Sequence, residues 1–437
     1  MSIKETKHKV IDILITFITL MICLIYLMLD NNYSNTILGI TLIFLNLYMI
    51  YKFRKNKLML FSMLTIFYFN YSFVITRYIG EPSDLLDNLY NQLYNSNTLN
   101  ISIALQIIFL IVINFVVGGC NIVNDLPIIK FYDDNNRKLL ILILQLVLIL
   151  ILIYHLINKI TYNTTLLEYS IILFIFIFYY TKNDKKNKII TEIILFIFSI
   201  YSIKNGDRIA VLQFMLSDFI INYLNKVKIK NIIICMIIGI FIFTFAGLYG
   251  DFLDYGYDFK DLTFSYVIEQ FKERRLALDT SVSAYFSGVS MIDVVGNYTY
   301  NFRINNAIEY FTKYTILGDK ANYETLDLII RNYQVNYGGG LPTCYFYFWA
   351  GWIGAIFISL YVGFLFKIVN SNKKSEYAKL LSLFIVSTIP RWYLYVPTLL
   401  FRGIIIFSIF YSVIYLFFLK NNKGVDEKNE KKNRTIN

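Results

Sequence analysis

The chain has 437 residues, 57% of them hydrophobic and 16% charged, where a soluble globular domain carries about 45–50% and about 25%. A mean hydropathy of +0.54 excludes a water-soluble single-core fold and places apolar side chains against lipid. The formal charge of +11 comes mainly from lysines dispersed over short turns without an aromatic stacking platform, so it reads as a topology signal and no nucleic-acid partner is expected.

A membrane helix needs about 20 apolar residues. Twelve stretches meet or approach that length: 10–29, 36–51, 58–76, 100–118, 139–157, 165–181, 188–204, 208–225, 231–249, 343–367, 378–396 and 400–419. They predict an all-α polytopic membrane protein of about twelve transmembrane helices. The first stretch lacks a small-residue cleavage site and reads as a retained helix. Lysines concentrate in alternate loops, around Lys52, Lys55 and Lys57, Lys182 to Lys188, Lys226 to Lys230, and Lys367 to Lys379. By the positive-inside rule these loops and both termini are cytoplasmic, and the long segments 77–99 and 250–341 are extracytoplasmic. The expected organisation is a membrane domain of about nine helices over 1–249, an outer loop or lid over 250–341, three last membrane helices over 342–420 and a disordered cytoplasmic tail over 421–437.

Four cysteines, Cys23, Cys120, Cys235 and Cys344, lie far apart, and the histidines are His8 and His155. No spacing among them matches a metal or haem motif, and no histidine-dependent triad assembles readily. No metal site is expected.

Arginine departs from the lysine pattern. Of eleven, only Arg54, Arg137 and Arg434 fall on the cytoplasmic side. Arg77, Arg208, Arg274, Arg275, Arg303, Arg331, Arg391 and Arg402 lie in outer loops or at outer helix ends. At about 1.5 Å per residue, Arg208 and Arg402 stand roughly 27 Å from Lys226 and Lys420, and so cap their helices at the outer surface. Arg391 stands only roughly 18 Å from Lys379, inside the outer half of the layer. A charge at that depth usually faces a polar cavity or binds something. Pro390 and Pro397 can break the helix there and open a polar vestibule. Alternatively the chain exits at Pro390 and Arg391 snorkels to the headgroups.

The 250–341 loop is too long for a connector. Apolar periodicity predicts short helices over 262–286, 303–316 and 321–334, lying along the membrane surface. Arg274 and Arg275 read either as the polar face of the first or as substrate contacts. Arg303 and Arg77 read as surface or headgroup contacts. The loop closes with Arg331 and then Tyr337, Gly338, Gly339 and Gly340 before Pro342. Three glycines leading into a proline-started helix permit close approach of a ligand and present N–H groups suited to an anion.

The segments GGGLPTCYFYFWAGWIG, NGDRIAVLQFML and PRWYLYVPTLLFRG resemble those of Wzy-type oligosaccharide repeat unit polymerases, the O-antigen and capsular polysaccharide polymerases. The resemblance implies a bacterial cytoplasmic-membrane enzyme of glycosyltransferase C-like architecture. It would act without metal or cofactor on an undecaprenyl pyrophosphate-linked oligosaccharide donor and acceptor, within membrane lipid and beside a flippase and a chain-length regulator. Arg208, Arg391 and Arg402 would then stabilise the departing pyrophosphate, helped by Arg331 and the Gly338–Gly340 amides. Asp207, Glu269, Asp279 and Tyr337 are the candidates for the base, and nothing in the sequence chooses among them. The rivals are a lipid-linked oligosaccharide flippase, which would not need so long an outer loop, and an O-antigen ligase, which typically relies on an outer-loop histidine.

Overall fold

A computed structural model of the chain describes residues 3–29, 34–79, 97–120, 134–158, 164–182, 184–205, 208–224, 279–318, 323–331, 339–372 and 375–419, with isolated positions between them. Every regular element among these is helical. Six helices are long and apolar enough to cross a membrane: Val10–Leu29, Ser34–Phe53, Asn97–Val117, Asn135–Ile157, Pro342–Asn370 and Leu399–Phe418. Three further apolar helices are shorter, Lys57–Asn70, Thr165–Thr181 and Ile209–Tyr223. The hydropathy pattern predicts twelve spans. The 231–249 stretch lies almost wholly outside the described residues, and the 378–396 stretch is not one helix but two short ones.

Packing divides the chain into two units. The first comprises Met1–Asn124, Ile233–Lys373 and Thr388–Leu399. It holds α1 (Ile3–Leu29), α2 (Ser34–Phe53), α3 (Lys57–Ile79), α4 (Asn97–Val117), α9 (Asp279–Asp293), α10 (Tyr300–Glu309), α11 (Leu326–Arg331), α12 (Pro342–Asn370) and α14 (Ile389–Leu394). α4 is buried on nearly every side, from Leu99 to Val117, and α12 runs along it. Gly363 lets the two approach: a Cβ there would sit 3.0 Å from Val116, the small-residue device of helix pairs in lipid. α1 is the least enclosed, with Ile13, Phe17 and Met28 exposed. Lys52 ties α1 to its neighbours, 2.9 Å from Asp12 and 2.6 Å from Asn114 on α4, while the Tyr48 hydroxyl also donates to Asp12. An inward-turned lysine at a helix end satisfies its charge on a carboxylate instead of in headgroups.

The described part of 250–341 does not stand apart from this unit. α9 packs against α3, α4 and α12 through the buried Phe286, Val289 and Met291. α10 lies on α12 and continues as one π-helical turn, Tyr310–Tyr314. Of the expected 262–286 helix, the described regular part is α9, which begins at Asp279.

The second unit comprises Asp125–Ile232, Lys374–Ser387 and Leu400–Asn437. It holds α5 (Asp134–Ile157), α6 (Thr165–Thr181), α7 (Lys185–Lys204), α8 (Arg208–Asp218), α13 (Glu376–Ser387) and α15 (Ile404–Ile414). α6 is its core, buried continuously from Ser170 to Thr181. Phe174 meets Phe198 of α7 and Phe214 of α8, and Phe176 meets Phe407 of α15. Thr164 caps α6 by accepting the Leu167 N–H, and Asp184 caps α7 by accepting that of Asn187. His155 closes the α5–α6 hairpin, with Nδ1 2.8 Å from the Ile151 carbonyl and Nε2 on the Thr164 hydroxyl. Since a carbonyl only accepts, Nδ1 carries the proton and Nε2 accepts from Thr164.

Candidate functional site

The first unit contains a buried polar chain that joins four of its helices. The Tyr393 hydroxyl on α14 lies 2.7 Å from Asn70 Oδ1 on α3 and 3.1 Å from Gln106 Oε1 on α4. The Gln106 amide in turn meets Thr343 Oγ1 in the first turn of α12. All four residues are buried. One hydroxyl proton cannot serve two acceptors well. With the Gln106 amide turned over, its NH₂ donates to Tyr393 Oη and its oxygen accepts from Thr343, and every atom has a partner. Such groups are expensive to leave unsatisfied in an apolar interior, so the chain of bonds holds α14 in place.

α14 carries Arg391. Thr388 departs from helical geometry at ψ 4°, before the helix, and Tyr395 is extended after it. The breaks fall at the two prolines, Pro390 inside the first turn and Pro397 just beyond. Arg391 is half-buried, its guanidinium 5.0 Å from the Tyr395 ring centroid. The helix end is bound to the glycine run, because the Gly340 N–H donates to the Leu394 carbonyl at 2.9 Å. That N–H, expected to face an anion, is therefore engaged. Gly339 and Gly340 are buried. A Cβ on Gly340 would lie 2.5 Å from Met291 and 2.8 Å from the Tyr345 ring, so close packing accounts for glycine at this position.

The other expected residues are placed as follows. Arg402 lies in a π-helical turn, Leu399–Gly403, half-buried and 5.4 Å over the Tyr169 ring. Arg208 is the first residue of α8. Arg331 ends α11 and is exposed. Asp207, Arg274, Arg275, Tyr337 and Gly338, with the base candidate Glu269, lie outside the described residues. Arg391 belongs to the first unit, and Arg208 and Arg402 to the second.

Sequence reasoning passed over several groups. Asn70, Gln106 and Tyr393 are polar groups within apolar helices, the available signal for them. Asn306 is another: its Oδ1 accepts from Trp349 Nε1 at 2.9 Å and from the Tyr323 hydroxyl at 3.0 Å. It fastens α10 and the segment before α11 to α12.

In the second unit the Tyr180 hydroxyl donates 3.0 Å to Glu376 at the start of α13. Burial pushes the Glu376 carboxyl above its ordinary 4.5, against the opposing Tyr180 bond and Lys379 charge. The folded chain then binds this proton more tightly than the unfolded one, so stability falls as pH rises from 4.5 through the folded value. Glu376→Gln keeps an acceptor for Tyr180 and removes the charge. It is expected to raise the melting temperature in detergent near pH 8 and leave it unchanged near pH 4. A lower melting temperature near pH 8 would contradict the burial of a strained carboxylate.

No protein-family profile, curated protein or solved structure matches this chain.

Proposed function

We propose that this multi-pass membrane protein is a glycosyltransferase that polymerises undecaprenyl pyrophosphate-linked oligosaccharide repeat units into a surface polysaccharide, whether O-antigen, capsule or exopolysaccharide. The reaction takes place on the outer face of a bacterial cytoplasmic membrane, in a chain of about twelve spans with both termini inside. The observation that carries the reading is Arg391, half-buried on a six-residue helix between two breaks in an apolar run. The outward placement of arginine and the resemblance of three segments to Wzy-type polymerases support it.

In this reaction a hydroxyl oxygen of the acceptor unit attacks the anomeric carbon of the donor. The bond from that carbon to the pyrophosphate oxygen breaks, and its electron pair leaves on the pyrophosphate. The hydroxyl proton passes to a base, for which Asp207, Glu269, Asp279 and Tyr337 are the candidates. The protein's largest task is to stabilise the developing charge, and bidentate guanidinium groups do this without metal. Arg391 is assigned that task, with Arg331 of the same unit assisting; Arg208 and Arg402, which the sequence also names, are each to be tested by substitution.

The test is surface glycan size in cells lacking the gene and complemented with wild type or Arg208→Ala. Wild type is expected to restore long chains, and Arg208→Ala to leave single repeat units on the outer leaflet. Units retained on the cytoplasmic leaflet in the deletion would instead identify a flippase.

A further inference from the structure

α12 is two helices joined by a break. Ala350 (φ −137°, ψ 20°) and Gly351 (φ 62°, ψ −148°) leave helical geometry, and the positive φ at 351 favours glycine. From Trp352 to Asn370 the helix rises roughly 28 Å at about 1.5 Å per residue, close to the hydrocarbon thickness of about 30 Å. This half crosses the layer by itself. Its side chains just past the break face outward, Ile353 at 79% and Phe357 at 58% exposure. The break therefore stands at one boundary of the hydrocarbon, the depth at which lipid phosphates lie.

Arg303 reaches that boundary from α10. Its Nη1 donates 3.1 Å to the carbonyl of Phe348, two residues before the break. The guanidinium carbon lies 5.6 Å from the ring centroid of Tyr300, an exposed side chain. Nε is enclosed and has no hydrogen-bond partner among the described residues. None of their ion pairs includes Arg303. With one nitrogen on the carbonyl, the Nε–Nη2 edge remains, the fork that takes two oxygens of a phosphate side-on. A half-buried cation at the edge of lipid with no ion-pair partner among the described residues is costly. An anion on that edge offsets the cost.

We infer that Arg303 and the broken turn of α12 form a binding site for the phosphate of a lipid. The inference stands apart from the polymerase reading, since a bilayer phospholipid and a polyprenyl carrier present the same phosphate oxygens.

The experiment titrates full-length protein in neutral detergent with phosphatidylglycerol and, separately, undecaprenyl phosphate, and counts bound lipid by native mass spectrometry. Arg303→Gln is expected to weaken binding about tenfold, the effect of losing one charge-assisted pair. Lys313→Gln, which removes an exposed charge from the adjoining π-helical turn, is expected to bind as wild type does. Should Arg303→Gln fail to fold, Arg303→Lys, which keeps the charge and loses the fork, carries the same comparison. Weakening with phosphatidylglycerol alone identifies a bilayer lipid, with undecaprenyl phosphate alone the polyprenyl carrier, and with both the phosphate itself; each supports the site. Equal binding of both lipids by wild type and the Arg303 variant overturns it, as does an equal loss in Lys313→Gln.

Discussion

Arg391→Ala is expected to reduce the synthesis of long surface glycan by about 10²–10³-fold, the usual effect of removing one preorganised group that stabilises developing negative charge. The expectation depends on where the side chain is held. α14 is bonded at its far end, Leu394 carbonyl to Gly340 N–H, and through Tyr393 to Asn70. Its backbone therefore stays in place when the guanidinium is removed. Among the contacts the substitution removes is the approach of the guanidinium to the Tyr395 ring, an interaction of about 0.5–1 kcal/mol at a partly exposed site. The variant should accumulate in membranes at wild-type levels while single repeat units build up on the outer leaflet. Arg391→Lys is expected to restore little, because an ammonium cannot present two parallel donors to a pyrophosphate. Wild-type glycan length from Arg391→Ala would remove this residue from the reaction.

Gly354→Ala is expected to be the most destabilising of the glycine substitutions in α12. A Cβ there would lie 2.1 Å from the Phe346 carbonyl oxygen and 2.9 Å from its carbon. Both are backbone atoms and cannot swing away, and the overlap is far deeper than at Gly363, where a Cβ would meet the Val116 Cβ at 3.0 Å. The overlap arises because the break at Ala350–Gly351 turns the second half of α12 back against the first. Relieving it means opening that turn, at a cost of about 1–3 kcal/mol or more by analogy with overpacked cores. Gly354→Ala should therefore lower the apparent melting temperature in detergent well below that of Gly363→Ala. The Arg303 bond to the Phe348 carbonyl depends on the same turn, so lipid-phosphate binding should fall with it. Equal melting of the two variants would mean that the break is not rigid.

The helices are legible because lipid imposes a pattern: apolar runs of about 20 residues and lysines at alternate ends read directly as spans. Most of the stretches reappear as helices, among them 10–29 within α1, 165–181 as α6 and 188–204 within α7, while six helices among the described residues are long and apolar enough to cross a membrane. The failures have physical causes. Residues 378–396 are mostly apolar, yet Thr388 and Pro390 interrupt the helix. Residues 343–367 read as one helix because hydropathy is blind to a positive φ at Gly351. The glycine run reads as an anion site because its composition suits one, whereas the Gly340 N–H meets a carbonyl 54 positions away in the chain.

By itself the sequence determined the class of molecule: its hydropathy leaves lipid as the solvent, and its dispersed lysines and outward arginines set an expected topology. Those are properties of composition and of local periodicity, which each segment carries alone. Only the tertiary structure decided that Tyr393, Gln106, Asn70 and Thr343 form one buried chain of bonds, that Asn306 fastens α10 to α12, and that Arg303 meets a broken turn. Each of these depends on residues far apart in sequence satisfying one another's hydrogen bonds, and no local pattern encodes which partner a buried polar group will find.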